Sequence, residues 1–138
     1  MPKIGVCGDD CNYCPRYIAT RSNEKSKLMA VAELWMRAGF RDRIVEPEEL
    51  KCVGCSPKNN CAYREQLSCA LEKKLSNCGE CLDYPCGLAK KSFDKTKGHE
   101  ESCRNNCSPN EYGLLRKAFF AKKENLDKIN QKMRKAKK

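Results

Sequence analysis

Twelve cysteines stand in short spacings: Cys7-x3-Cys11-x2-Cys14, Cys52-x2-Cys55, Cys78-x2-Cys81-x4-Cys86 and Cys103-x3-Cys107, with Cys61 and Cys69 between the groups. A Cys-x2-Cys pair forms a tight turn that points two thiolates at one cation, and two such pairs complete a tetrahedral site. Zinc is the default ion. It accepts four thiolates without redox chemistry, and a closed all-cysteine site leaves no open position for water, so it is structural and not hydrolytic. Twelve thiols suffice for three sites, so two or three Zn²⁺ per chain are expected. Pairing near neighbours gives Cys52, Cys55, Cys61 and Cys69 as one site. Cys7, Cys11 and Cys14 with Cys86 make a second, and Cys78, Cys81, Cys103 and Cys107 a third. A ribbon-like site from the second and third knuckles, with 22 residues between Cys55 and Cys78, is an equal alternative.

The rival cofactor is a Cys-ligated iron–sulfur cluster such as [4Fe-4S], serving electron transfer or redox sensing. Cys7-x3-Cys11-x2-Cys14, with Tyr13 before the last cysteine, resembles the cluster-binding loop of radical S-adenosylmethionine enzymes, whose three cysteines leave one iron open. Those enzymes set the loop in a full or partial (β/α) barrel, and this chain of 138 residues lacks the strand–helix alternation. Thiol redox work at a Cys-x2-Cys pair would need an exposed low-pKa thiolate in a thioredoxin-like βαβ setting, which is also missing. His99, the single histidine, reads as a solvated residue of a polar loop. With one histidine, no Ser-His-Asp arrangement is proposed, and no catalytic residue is nominated.

Without its cysteines, about a third of the chain is apolar, below the roughly 45–50% of a typical globular domain. So thin a core calls for staples. Disulfides are the other staple, but they belong to oxidising compartments. The stretch Met1-Pro2-Lys3-Ile4-Gly5-Val6-Cys7 has no charged leader followed by an apolar run, and no run approaches the ~20 apolar residues of a membrane span. A cytoplasmic protein with reduced thiols is expected, with no membrane partner. The formal charge of +10 counts thiols as neutral. Three four-thiolate zinc sites would add about −6 and leave the loaded chain near +4, so much of the basicity offsets the metal.

The elements that must position the thiols are mostly helices. Residues 5–17 read as a knuckle. Leu28, Val31, Ala32, Trp35 and Ala38 define a helix from about Asn23 to Ala38, with Trp35 as core anchor and Gly39 as its cap. Val45 to Leu50 reads as a short helical turn, residues 56–60 as loop, and Ala62 to Leu75 as a helix with Leu67, Ala70 and Leu71 inward. A short helix carries Leu88, Ala89 and Phe93, and residues 94–107 read as a polar loop. Tyr17, Tyr63 and Tyr84, each within three residues of a cysteine, are expected to pack over the thiolates. Ser108-Pro109-Asn110-Glu111 is a capping box opening a long helix from Pro109 to Met133 or beyond, with Leu115, Phe119, Leu126, Ile129 and Met133 on its apolar stripe. Residues 116–138 hold ten Lys or Arg against Glu124 and Asp127, a net +8.

With the knuckles placed, the chain resembles a family of small Cys-rich proteins from bacteria and archaea, many anaerobic, known as a domain of unknown function. The matching residues are Cys7-Gly8-Asp9-Asp10-Cys11-Asn12-Tyr13-Cys14-Pro15-Arg16-Tyr17, the Trp35 helix, Cys52-Val53-Gly54-Cys55, Cys69-Ala70-Leu71-Glu72-Lys73 and Asn77 to Cys86. The resemblance spans residue 4 to about 90. It implies a metal-binding module with no established activity, and it leaves Cys103, Cys107 and the basic helix outside.

The expected fold is mostly α with irregular Cys-rich knuckles: a metal-stapled domain over residues 1–107 and a basic amphipathic C-terminal helix over 108–138. The expected function is a structural zinc module that binds a partner. That partner is acidic, or a nucleic acid, and meets the basic helix; alternatively, a second copy of the chain docks through residues 115–133. A solvated helix packed on its own core is the simpler outcome for that segment.

Overall fold

A computed structural model describes residues 4–52 and 63–136. Cys55, Cys61, the 56–60 loop and Ala62 lie outside them. The described residues form seven α-helices and no strand: α1 Pro15–Ser22, α2 Lys25–Arg37, α3 Pro47–Leu50, α4 Arg64–Glu72, α5 Gly87–Asn106, α6 Pro109–Leu115 and α7 Lys122–Ala136. A 3₁₀ turn spans Cys78–Glu80, and a π-helical segment, Arg116–Phe120, joins α6 to α7. The mostly helical class expected from the sequence is therefore correct.

The α2 stripe is the core. Leu28, Val31, Ala32, Trp35 and Ala38 are buried, together with Val45, Leu50, Cys103 and Leu115. Trp35 meets Phe40 and Phe119 edge-to-face at 5.3 and 5.7 Å between ring centroids. Gly39, at φ 87°, ends the helix in the left-handed region, where a side chain is strained. The helix expected from about Asn23 to Ala38 is α2. A further helix precedes it: Pro15 starts α1 inside the expected knuckle, and Asn23, at φ 57°, separates α1 from α2. Leu67 and Ala70 of α4 are buried as expected, whereas Leu71 is exposed.

Two further expectations are corrected. Residues 94–107 are not a loop: α5 runs unbroken to Asn106, and Cys107 caps it. Its buried face is Ala89, Ser92, Thr96 and Cys103, small and mostly polar residues at helical spacing, which give no hydrophobic period. His99 is accordingly half-buried on a helix, with its ring 5.6 Å from Phe40. The C-terminal helix is long, as expected, but it runs as α6, the π-helical segment and α7, with Ala121 (φ −106°, ψ 12°) between the last two.

α7 lies on the knuckles. Leu126 is fully buried beside Val6, Cys78, Cys81 and Tyr84. The approach needs glycine: a Cβ at Gly8 would lie 2.6 Å from the Lys122 carbonyl oxygen, and one at Gly79 would lie 2.8 Å from that of Leu126. Asn125 donates to the Gly8 carbonyl at 2.9 Å, and Asn130 donates to that of Gly79 at 2.9 Å. The C-terminal stripe is thus spent on the chain's own core. Leu115 and Leu126 are fully buried, so the face offered to a second copy at 115–133 is largely covered. No described helix is long and apolar enough to cross a membrane.

The capping box forms as expected. Ser108 Oγ accepts from the Glu111 amide at 3.1 Å, and Glu111 accepts from the Ser108 amide at 2.8 Å. Glu111 also takes two hydrogen bonds from Arg37 of α2, at 2.7 and 3.1 Å. The Arg37 guanidinium, then the Ser108 amide, hold the Glu111 carboxyl at about 2 against an ordinary 4.5. A depressed carboxylate stabilises fully above its unfolded value and loses that contribution as pH falls towards its folded one. Glu111→Gln is expected to cost about 1 kcal/mol at neutral pH, the usual size of a lost helix cap. Chemical denaturation of the variant and the parent should converge as pH falls from about 4.5 to about 2.

Candidate metal centre

The first knuckle is a tight loop. Gly5 N–H donates to the Asp9 carbonyl at 2.8 Å, and the Asp10 amide reaches the Ala118 carbonyl of the π-helical segment at 2.9 Å. Cys14 is the N-cap residue of α1. The same helix draws in a cysteine from far along the chain. Arg16 donates to the carbonyls of Leu50 and, at 3.2 Å, Lys51, and the Cys52 amide donates to Thr20 Oγ1 at 3.0 Å. Cys52 therefore joins Cys7, Cys11 and Cys14 on the wall of one cavity of about 220 Å³. Tyr17 packs beside Cys14 there, and Tyr63 also lines the space.

Burial pushes the Cys14 thiol up to about 12, with the charges of Asp9 and Cys52 adding to it, while the amides of Tyr17 and Arg16 pull the other way. A bound cation is what would make that sulfur a thiolate. Beneath it lies a buried ion pair: Lys122 Nζ is 3.2 Å from Asp9 Oδ1 and 3.9 Å from the Tyr63 ring centroid. The two charges attract at that distance without the alignment of a good hydrogen bond. Burial opposes the Lys122 charge, but Asp9, Cys7 and Tyr63 outweigh it and raise its pKa. Burial raises the Asp9 carboxyl against the pull of Lys122.

The second group gathers around the 3₁₀ turn. Cys78 and Cys81 are buried with Tyr84, and Cys86 packs against them. Cys78 donates its amide to the Val6 carbonyl at 2.9 Å, tying the third knuckle to the first. Cys69 comes from α4, and Cys86 is the N-cap residue of α5. Burial raises the Cys78 thiol, the Gln66 side chain pulls the other way, and the charges of Cys86, Cys69 and Cys81 raise it further. Nitrogen donors already face two of them. Gln66 Nε2 reaches Cys78 Sγ at 3.3 Å, Lys73 Nζ reaches Cys81 Sγ at 3.3 Å, and the Asp83 amide reaches Cys81 Sγ at 3.4 Å. N–H donors stabilise the thiolate form that a cation needs, which is the donor set expected around a thiolate-bound ion.

Cys103 and Cys107 form a separate pair, 3.8 Å apart between sulfurs at the end of α5. Cys103 is fully buried against the α2 core, and burial, then Cys107, push its thiol up to about 12. The sequence-based partition is therefore redrawn. Cys86 stands with Cys78 and Cys81, not with the first knuckle, and Cys52 stands with the first knuckle. Cys103 lies in a different core cluster from Cys78 and Cys81. No disulfide joins two of the described cysteines. Among the described residues, no three Cys, His, Asp or Glu side chains converge closely enough to hold one metal ion as they stand. Two residues at these sites escaped the sequence reading. Lys122 left a signal, since it occupies the stripe between Phe119 and Leu126, where an apolar residue is due. Gln66 left none.

A family model covers residues 3–91, which include both groups of four cysteines and exclude Cys103, Cys107, α6 and α7. The chain belongs to the family described as protein of unknown function DUF3795. The DUF3795 region thus ends within α5, and the helix that closes over both knuckles lies beyond it. No curated protein and no solved structure matches the chain.

Proposed function

We propose that the protein is a cytoplasmic zinc module with two structural centres, one held by Cys69, Cys78, Cys81 and Cys86 and the other by Cys7, Cys11, Cys14 and Cys52. The observation that supports this is the gathering of eight cysteines from distant segments into two neighbourhoods of four, with nitrogen donors on Cys78 and Cys81. Zinc at such sites supplies a positive charge that keeps buried thiolates ionised, and it cross-links segments that share little apolar surface. Cys103 and Cys107 stay outside both centres, so two ions per chain are expected, not three. The module's partner is acidic. Lys123, Lys128, Lys132 and Lys135 are exposed on α7 while its inner face is docked.

A [4Fe-4S] cluster held by Cys7, Cys11, Cys14 and Cys52 is the second reading. It is favoured by one observation, the cavity of about 220 Å³ that these cysteines line, more room than a single ion takes. Anaerobic purification with elemental analysis separates the two. A colourless protein with two zinc ions per chain is expected. A brown protein with visible absorption and four irons per chain would replace the first centre by the cluster, and a protein without bound metal would end both readings.

A further inference from the structure

We propose that Cys103 and Cys107 are a redox-active dithiol, which closes to a disulfide by exchange with a low-molecular-weight disulfide such as oxidised glutathione. The pair stands apart from both groups of four cysteines, so this does not rest on metal at those groups. It also lies beyond residues 3–91, outside the DUF3795 region.

The two sulfurs are in contact before any oxidation. Cys103 Sγ donates to Cys107 Sγ at 3.8 Å, and the Cys107 amide donates to the Cys103 carbonyl at 3.0 Å. That backbone bond closes the end of α5. Residues four apart in a helix have Cα atoms about 6 Å apart, inside the roughly 4.4–6.8 Å that a disulfide bridges. Their Cβ atoms stay roughly 5–6 Å apart when both are helical, whereas a disulfide draws them to about 4 Å. Cys107 escapes that limit because it follows the helix, at φ −117° and ψ 157°. Closure therefore falls to Cys107, while Cys103 stays in the α2 core.

Exposure assigns the two roles. Cys107 is half-buried and Cys103 is fully buried. Burial, then Cys107 and the charges of Glu111 and Glu100, keep the proton on Cys103. Cys107 starts the exchange and Cys103 completes it. The Cys107 thiolate attacks one sulfur of glutathione disulfide, whose S–S bond breaks to release a glutathione thiolate. Cys103 then attacks Cys107 Sγ in the mixed disulfide and the second glutathione leaves. The two departing thiolates take up the protons that the cysteines gave. Two protein thiols are oxidised, and one glutathione disulfide is reduced to two thiols. Cytosolic disulfides are of this transient, catalytic or sensing kind. A dithiol is strongly oxidising when its reduced form is stabilised as a thiolate. Cys103 lacks that stabilisation, which favours the bridged form.

The test equilibrates the full-length protein, metal-loaded as purified, with mixtures of oxidised and reduced glutathione. Remaining thiols are then alkylated and tryptic peptides are weighed. Cleavage after Arg104 separates Cys103, on residues 98–104, from Cys107, on residues 105–116. The disulfide appears as these two peptides joined and lighter by two hydrogens. The joined species is expected to rise from about a tenth to about nine-tenths of the chain over a roughly hundredfold change in the ratio of oxidised glutathione to the square of reduced glutathione. Dithiothreitol should reverse it, with metal content unchanged throughout. Cys103→Ser is expected to stop at glutathione on residues 105–116, and Cys107→Ser to leave Cys103 a thiol. Two thiols still present at excess oxidised glutathione would overturn the proposal. So would a bridge that forms only after unfolding in urea, or one from either cysteine to a third. Metal lost as the bridge forms, or lost in the Cys103→Ser chain, would assign these sulfurs to a metal centre and overturn it too.

Discussion

Cys78→Ser is expected to remove one metal ion per chain and to unfold the protein at room temperature. Structural zinc contributes about 10–16 kcal/mol to the folding of small domains at neutral pH. A whole domain rarely exceeds about 5–15 kcal/mol of net stability. Loss of one such centre is therefore comparable with everything that holds the chain together. Cys78 is the most exacting position because it serves two purposes. Its sulfur packs in one cluster with Cys81 and Cys86, and its amide pins the third knuckle to Val6. Serine keeps the amide and removes the thiolate, so the variant isolates the sulfur. Cys103→Ser is the control, a buried cysteine outside both groups. It is expected to keep both ions and to lose only about 1–2 kcal/mol. Circular dichroism with elemental analysis reads both variants. A Cys78→Ser protein that keeps two ions and its melting temperature would rule out the centre at the third knuckle.

Lys122→Met is expected to destabilise by about 3–5 kcal/mol, the usual cost of stripping a buried charge of its partner. The Lys122 side chain is 3% exposed and Asp9 is 17% exposed, so little water is present to replace the lost ion. The Tyr63 ring, 3.9 Å from the ammonium, loses a cation–π contact of about 2 kcal/mol in the same step. Methionine fills most of the volume, which keeps a cavity from confusing the result. Asp9→Asn with Lys122→Met removes both charges and is expected to recover more than half of the loss. Urea denaturation of the two single variants and the double variant measures the coupling. Strictly additive losses would show that the pair contributes nothing as a pair.

The helices whose buried face is apolar were legible in the sequence. Leu28, Val31, Ala32 and Trp35 announce α2, and Ser108 with Glu111 announces the start of α6. The second half of α5 was not legible because Ser92, Thr96, His99 and Cys103 fill its inner face, and none of them scores as apolar in the way a leucine does. The break at Arg116–Phe120 was hidden for the opposite reason: the stripe of Leu115, Phe119 and Leu126 continues across it. The cysteines themselves were legible as candidate ligands, but their grouping was not. Cys52 reaches the first knuckle through Arg16 and Thr20, side chains that look like ordinary surface residues in the sequence. The docking of α7 rests on Gly8 and Gly79, whose role is to have no side chain where another backbone passes.

The most direct measurement is native mass spectrometry of the protein purified under reducing, metal-replete conditions, read together with the mass after acid denaturation. Two zinc ions on the folded chain are expected, both lost on unfolding, with twelve reduced cysteines in the mass of the released chain. A folded chain that carries no metal, or one whose mass is lowered by paired disulfides, would contradict the claim that thiolate-held cations take the place of a larger apolar core.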